Sequence, residues 1–354
     1  MTELLNYGLT PSIIQEGESH NAQAARVTAV YRDRYELVCA QGQIFGKLKT
    51  GAYYGGGEEA FPTVGDFVLV QPQQGGDGQI IRTTSRRTFF ARRDPDPNAH
   101  AGEQLIAANF DYVFIMSSLN RDFNIGRIQR YLVLARQSGA VPVIILSKAD
   151  LAGDFSPQLK AVHAAANAID AIPVSVITGL GLDRLRDYLT PGKTVVFLGM
   201  SGVGKSSLLN ALIGRDVMEV SAVREDDSRG RHTTTHRQLF MLPSGAAVID
   251  TPGMRSLGLF DAQEGLSETF ADIDALLGTC KFSDCKHENE PGCAVRAAIE
   301  GGALSPKRWL SYQKLRHEAG YAESKAEFMR GKQARNKEIA MWSRRRKKDG
   351  GIRR

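Results

Sequence analysis

The stretch VVFLGMSGVGKSSLLNALIG, residues 195–214, restricts the fold more than any other part of the chain. It holds Gly199-x4-Gly204-Lys205-Ser206 between an apolar run and a helix-forming run. Glycines at these places permit a tight turn and bring backbone N–H groups onto phosphate oxygens. The loop of Gly199, Met200, Ser201, Gly202, Val203, Gly204, Lys205, Ser206 and Ser207 is therefore expected to cradle the phosphates of a nucleotide. In that role Lys205 reaches the β and γ phosphates and the Ser206 hydroxyl is a Mg²⁺ ligand. Leu208, Leu209 and Leu212 form the apolar face of the next helix, whose N-terminal dipole faces the anion.

Such a loop needs a buried strand in front of it, and this part of the chain is rich in them. DYVFIMSS (111–118), VPVIIL (141–146), AIPVSV (171–176) and KTVVFLG (193–199) are near-continuous apolar runs. Helical patterns separate them, among them the amphipathic NIGRIQRYLVLARQSG (124–139), PQLKAVHAAANAI (157–169) and LDRLRDYL (182–189). Strands that are apolar on both faces and alternate with helices predict a parallel sheet covered on both sides.

Further polar groups fall at the ends of these strands, where open α/β sheets bind ligands. AVIDTPG (247–253) ends in Asp250, a carboxylate suited to holding Mg²⁺, followed by Gly253, whose N–H can turn toward a γ-phosphate. LSKADL (146–151) places Ser147, Lys148, Ala149 and Asp150 after another strand. A carboxylate such as Asp150 accepts both N1–H and the 2-amino group of guanine, whereas adenine presents an acceptor at N1 and is rejected. The stem of Lys148 can lie along the purine face. Ser147 stands where an Asn would bond the purine edge and brace the neighbouring loop; a Ser keeps one contact or works through a water. VSVITGLG (174–181) is a second loop for the base. REDDSRGRHTTTHRQ (224–238), polar and aperiodic, is a candidate switch loop in which a threonine among Thr233, Thr234 and Thr235, with Thr234 as the candidate, completes the Mg²⁺ shell. The order is base loop, second base loop, P-loop, switch loop, DTPG. Starting at the P-loop and wrapping round restores the usual GTPase order, so the domain reads as a circular permutation.

On either side the patterns differ. Residues 24–93 alternate short β-rich runs with glycine turns (ARVTAVY, RYELVCA, QIFGKLK, DFVLVQP, GQIIRTT), which predicts a small OB-like barrel. Its rim, TSRRTFFARR (84–93), suits nucleic acid by charge and stacking, though the residues alone favour an ordinary strand with core Phe and solvated Arg. RRDPDPNAHAGE (92–103) reads as a linker. Cys280-x4-Cys285-x-His287-x5-Cys293 offers three thiolates and an imidazole, a set suited to one tetrahedral structural Zn²⁺. The expected organisation is a flexible segment 1–23, a barrel 24–93, a P-loop α/β domain 100–261, a zinc-binding domain with helices 262–330 and a basic tail 331–354.

Charge is uneven. Residues 321–354 carry twelve Lys or Arg against four Asp or Glu, so this tail holds +8 of a chain whose net charge is +6. A basic tail on a near-neutral body fits a polyanion partner, or a solvated disordered tail. No apolar run approaches the roughly 20 residues a membrane span needs. MTELLNYGLTPS lacks a basic stretch followed by an apolar one, so a cytoplasmic location is expected. Nothing in the chain points to an obligate dimer.

EQLIAANFDYVFIMSS, GMSGVGKSSLLNAL, GRHTTT, DTPGMRSLGL and CKFSDCKHENEPGCAV, in this order and after a barrel, resemble the ribosome small-subunit-dependent GTPase family over nearly the whole chain. The resemblance implies a GTPase that binds the small (30S) ribosomal subunit and its rRNA, acts late in that subunit's maturation, and hydrolyses GTP to GDP and phosphate with stimulation by the subunit. Many GTPases orient the attacking water with a Gln after D-x-x-G. Met254 occupies that place here, and the resemblance supports His232 as the water-positioning residue. Two other readings remain open: an adenine-nucleotide P-loop enzyme, and an RNA-binding adaptor whose nucleotide is structural.

Overall fold

The structure, a computed structural model, describes residues 2–53, 61–73, 76–93, 103–166, 168–214, 237–250, 259 and 262–321. Two short helices open the chain, α1 (Thr2–Asn6) and α2 (Pro11–Ser19). Strands β1 (Gln23–Val30), β2 (Tyr35–Cys39) and β3 (Gly42–Leu48) follow, then one turn of helix, α3 (Thr50–Tyr53), and strands β4 (Phe67–Gln71) and β5 (Gly78–Thr83). These five strands pair in the order β1-β2-β3-β5-β4, and β4 returns to β1 with Ala24 opposite Leu69, which closes the barrel. Only β3 and β5 run parallel. Alternate residues Ala25, Val27, Leu37, Cys39, Val68, Val70 and Ile80 fill its interior, so Cys39 is a packing residue.

The N-terminal segment corrects the expectation of a flexible 1–23. Thr10 caps α2 by accepting from the Ile13 N–H, and Pro11 occupies the first helical position. Leu4 and Leu9 are buried against Ala24 and Phe67 on the outside of the barrel. Burying two leucines contributes roughly 3 kcal/mol or more, enough to hold a short capped segment in place.

Of the expected linker 92–103, residues 92, 93 and 103 lie in strands and residues 94–102 lie outside the described residues. Strand β6 (Phe89–Arg93) pairs antiparallel with β7 (Glu103–Ala108), Phe89 opposite Ala108 and Arg93 opposite Glu103. The segment between barrel and α/β domain is thus flanked by the two arms of a ribbon. Phe90 is buried and stacks on Phe110, with ring centroids 4.8 Å apart, whereas Phe89 is half exposed. The 84–93 rim is therefore split between core and surface.

The α/β domain continues with β8 (Tyr112–Ser118), α4 (Ile125–Gln137), β9 (Val141–Ser147), α5 (Ser156–Ala165), β10 (Ala171–Val174), α6 (Leu182–Leu185), β11 (Thr194–Gly199), α7 (Lys205–Ile213), β12 (Gln238–Met241) and β13 (Ala247–Asp250). Its strand order is β10-β9-β8-β11-β13-β12, parallel except for β12. The P-loop strand β11 lies in the middle, and the strands that precede it in the chain lie to one side. This order matches the permuted P-loop α/β sheet that the sequence predicts, with the termini at a different loop. One face packs on α6 and α7 and the other on α4, α8 (Gln263–Thr269) and α9 (Ala271–Leu277). The last elements among the described residues are α10 (Ala294–Glu300) and α11, helical through residues 306–321. Among the described residues no helix is long and apolar enough to cross a membrane.

Candidate functional site

Strands β9, β10, β11 and β13 point the same way, so their C-terminal residues share one edge of the sheet. The P-loop leaves β11 at Gly199 and enters α7 at Lys205. Within it Gly202 and Gly204 adopt φ of +75° and +97°, conformations that L side chains rarely adopt. Lys205 Nζ donates to the carbonyls of Gly199 and Met200 at 2.8 Å each, which holds the ammonium against the loop. Buried Val203, Leu208 and Leu209 anchor loop and helix to the sheet, while Met200 is partly exposed. Asp250 ends β13, directly beside β11 and opposite Gln238 of β12.

The base loop sits at the end of β9, two strands from β11, with β8 between. Ser147 is buried and lies opposite Ser118 of β8 and Val174 of β10. Its hydroxyl donates to the Val203 carbonyl at 2.6 Å, joining the base loop to the P-loop across 56 residues of sequence. Lys148 then takes a left-handed conformation, φ +58°, and residues 149–151 form a single 3-10 turn that carries Asp150.

Ser175, at the end of β10, was not singled out by the sequence. It is fully buried, and its hydroxyl donates to Asp150 Oδ1 at 2.6 Å. The Ser175 hydroxyl oxygen itself accepts from the amides of Ile177 and Thr178 at 3.2 Å each. The second loop is therefore wound around the group that orients the carboxylate. Gly181 closes this loop with φ +74°; a Cβ there would lie 2.1 Å from the Pro173 carbonyl oxygen. The available signal was a Ser directly after a buried strand, too common a feature to single out. A carboxylate fixed on one oxygen, an aliphatic lysine stem and a glycine-lined phosphate loop along one edge can hold a purine nucleotide end to end. His232, Thr234 and Gly253 lie outside the described residues.

The cysteine set is also assembled. The ligand atoms of Cys280, Cys285, His287 and Cys293 all lie within 4.8 Å of one another. His287 is in the left-handed region, φ +62°, and its Nδ1 is 3.4 Å from the Cys280 sulfur and 3.5 Å from that of Cys293. The amides of Ala294 and Arg296 donate to the Cys280 and Cys293 sulfurs and help to orient them. Glu290 accepts from the amides of Lys286, Glu288 and Asn289 and shapes the turn around His287. Three sulfurs and a nitrogen converging on one point fit a closed tetrahedral Zn²⁺ site.

Comparison with known proteins places this arrangement. The sequence profile described as RsgA GTPase matches residues 83–260. The small ribosomal subunit biogenesis GTPase RsgA 2 of Lactiplantibacillus plantarum is 46% identical over 323 residues, 90% of either chain. Small ribosomal subunit biogenesis GTPase RsgA 1 of Listeria monocytogenes is 44% identical over 318 residues, again 90% of either chain. Among solved structures, YjeQ from Thermotoga maritima superimposes with a TM-score of 0.63 at 27% identity, covering 84% of this chain and 98% of that one. YloQ, a circularly permuted GTPase, gives a TM-score of 0.58 at 25% identity over 89% and 96%.

Proposed function

Because the chain belongs to the RsgA GTPase family, we propose that it binds the small (30S) ribosomal subunit through rRNA and acts in its late maturation, the subunit stimulating its hydrolysis of GTP to GDP and phosphate. The observation that supports the nucleotide part is the bond between Ser147 and Val203, which joins the loop that carries Asp150 to the phosphate loop. In this reading Gly199 to Ser207 enclose the phosphates. Ser206 and Asp250 take Mg²⁺, which neutralises charge on the phosphates. Thr234 and Gly253 sense the γ-phosphate, and His232 positions the attacking water in place of the Gln that Met254 replaces.

Cys280, Cys285, His287 and Cys293 hold one structural Zn²⁺, with no catalytic part. The rRNA contacts fall to the basic tail and to the barrel side, where half-exposed Phe89 shares a cleft with Tyr53, Arg82 and Thr84. The protein works as a cytoplasmic monomer. The test is multiple-turnover GTP hydrolysis by the full chain with purified small subunits, with large subunits and with neither, ATP serving as control. Stimulation by small subunits alone supports the reading. Equal rates in all three, or ATP turned over as readily, would sink it.

A further inference from the structure

Position 147 carries a Ser, and the structure accounts for its hydroxyl completely. A hydroxyl has one proton to donate. That of Ser147 goes to the carbonyl of Val203 at 2.6 Å, in a buried setting. The receiving carbonyl belongs to the residue between Gly202 and Gly204, both at positive φ, so the bond braces the phosphate loop where its backbone turns. What remains on the Ser147 oxygen is lone pairs. The N7 atom of a purine is itself an acceptor, and two acceptors form no hydrogen bond. An Asn amide at this place has two N–H donors and can serve a loop carbonyl and N7 together. Ser147 performs only the first of these tasks.

The opposite edge of the base is differently provided. Asp150 receives the Ser175 proton on Oδ1 at 2.6 Å. A carboxylate has about four lone-pair sites, so Asp150 keeps capacity for guanine N1–H and the 2-amino group. All of the direct reading by these two side chains is thus on the N1 side.

We propose that the side chains of this site read guanine on its N1 and N2 edge and leave N7 unread, so that 7-deaza-GTP, with a C–H at that position, is a full-strength ligand. Ser147 is accordingly a positioning residue for the phosphate loop. The inference rests on the guanine-nucleotide reading above, and the experiment separates the two.

Dissociation constants of GTP, 7-deaza-GTP and ATP for the full chain with Mg²⁺ are measured by calorimetry, for the wild type, Ser147→Ala and Ser147→Asn. The wild type is expected to bind GTP and 7-deaza-GTP within about twofold of each other, and ATP roughly a hundredfold or more weaker. Ser147→Ala weakens GTP and 7-deaza-GTP by the same factor, because the lost bond acts on the phosphate loop. Ser147→Asn creates a preference for GTP over 7-deaza-GTP of about fivefold, the size of one added hydrogen bond. A wild-type preference for GTP over 7-deaza-GTP of about fivefold or more overturns the proposal while leaving the guanine reading intact. ATP binding as tightly as GTP overturns the guanine reading, and the N7 inference with it. The wild-type ratio alone decides, so the outcome does not depend on how well either variant folds.

Discussion

Ser175 shows how much a single hydroxyl can organise. Fully buried, it fixes one oxygen of Asp150 and collects two amides of its own loop. Replacing it by Ala removes a hydrogen bond to a carboxylate and leaves two amides without their acceptor. Hydrogen bonds to charged groups contribute about 1.5–3 kcal/mol, so Ser175→Ala is expected to weaken GTP and GDP equally, by roughly tenfold or more. Calorimetric titration of both nucleotides checks this, and a loss confined to GTP would contradict it. Gly181 is the other critical residue of the loop. An Ala there meets both a left-handed backbone and the Pro173 carbonyl. Gly181→Ala is expected to lower stability by about 1–3 kcal/mol in urea titration and to displace the loop that holds Asp150.

At the scale of elements, the zinc module is built into the α/β domain. Cys293 and Val295 belong to the same core as Phe270, Ile128 and Leu132, so the knuckle packs on α4 through α8 and α9. Trp309 of α11 meets the His287 ring edge-on at 5.6 Å and stacks on Tyr312. Arg130 of α4 pairs with Glu318 at 2.7 Å, and Arg308 pairs with Asp272 at 2.6 Å while donating to the Ala165 and Thr269 carbonyls. Removing zinc with a chelator, or introducing His287→Ala, should therefore lower the melting temperature of the α/β domain as well as the metal content. Differential scanning calorimetry with metal analysis tests this. A separate low-temperature transition with the main one unmoved would show the module to be energetically independent.

At the scale of the molecule, the barrel and the α/β domain are joined by backbone and by buried charge. Strand β12 pairs on one side with β13 and on the other with β1, Gln238 opposite Ala29, so one continuous sheet runs from the α/β domain into the barrel. Arg26 is wholly buried at this junction. It donates to the carbonyls of Tyr7, Gly65 and Asn109, thereby tying together the N-terminal segment, the barrel and the end of β7, and burial pushes its pKa down to about 10. Nearby, Asp66 is also buried, and accepts from Arg86 and from the Thr63 amide. Desolvation raises the Asp66 pKa even with Arg86 beside it. Arg86→Ala leaves this carboxylate unpaired, with an expected loss of about 3–5 kcal/mol at neutral pH. The sign of the pH dependence follows from the raised pKa. A carboxyl that binds its proton more tightly when folded is relieved by acid, and its contribution falls as pH rises through the folded value. The stability gap between wild type and Arg86→Ala should accordingly be smallest near pH 4 and widen toward pH 7. A gap independent of pH in chemical denaturation would count against Asp66 as its source.

Much of this was written locally. Apolar runs of strand length between helical patterns specify the parallel sheet, because burial on both faces demands them. Gly199-x4-Gly204-Lys205-Ser206 specifies a phosphate loop through backbone freedom and charge, and four soft ligands within fourteen residues specify the metal site. The order of these pieces carries the circular permutation. The N-terminal helices were missed because their structure depends on distant partners, Leu4 and Leu9 on Phe67. Only the tertiary structure decided what Ser147 does. Whether its one proton goes to a base or to a loop depends on which carbonyl the sheet order brings within 2.6 Å, and Val203 lies 56 residues away in sequence. The pairing of Ser175 with Asp150, the packing of the zinc knuckle into the α/β core and the sealing of the barrel through Arg26 are of the same kind. Each arises from contacts between segments remote in sequence, which no local pattern encodes.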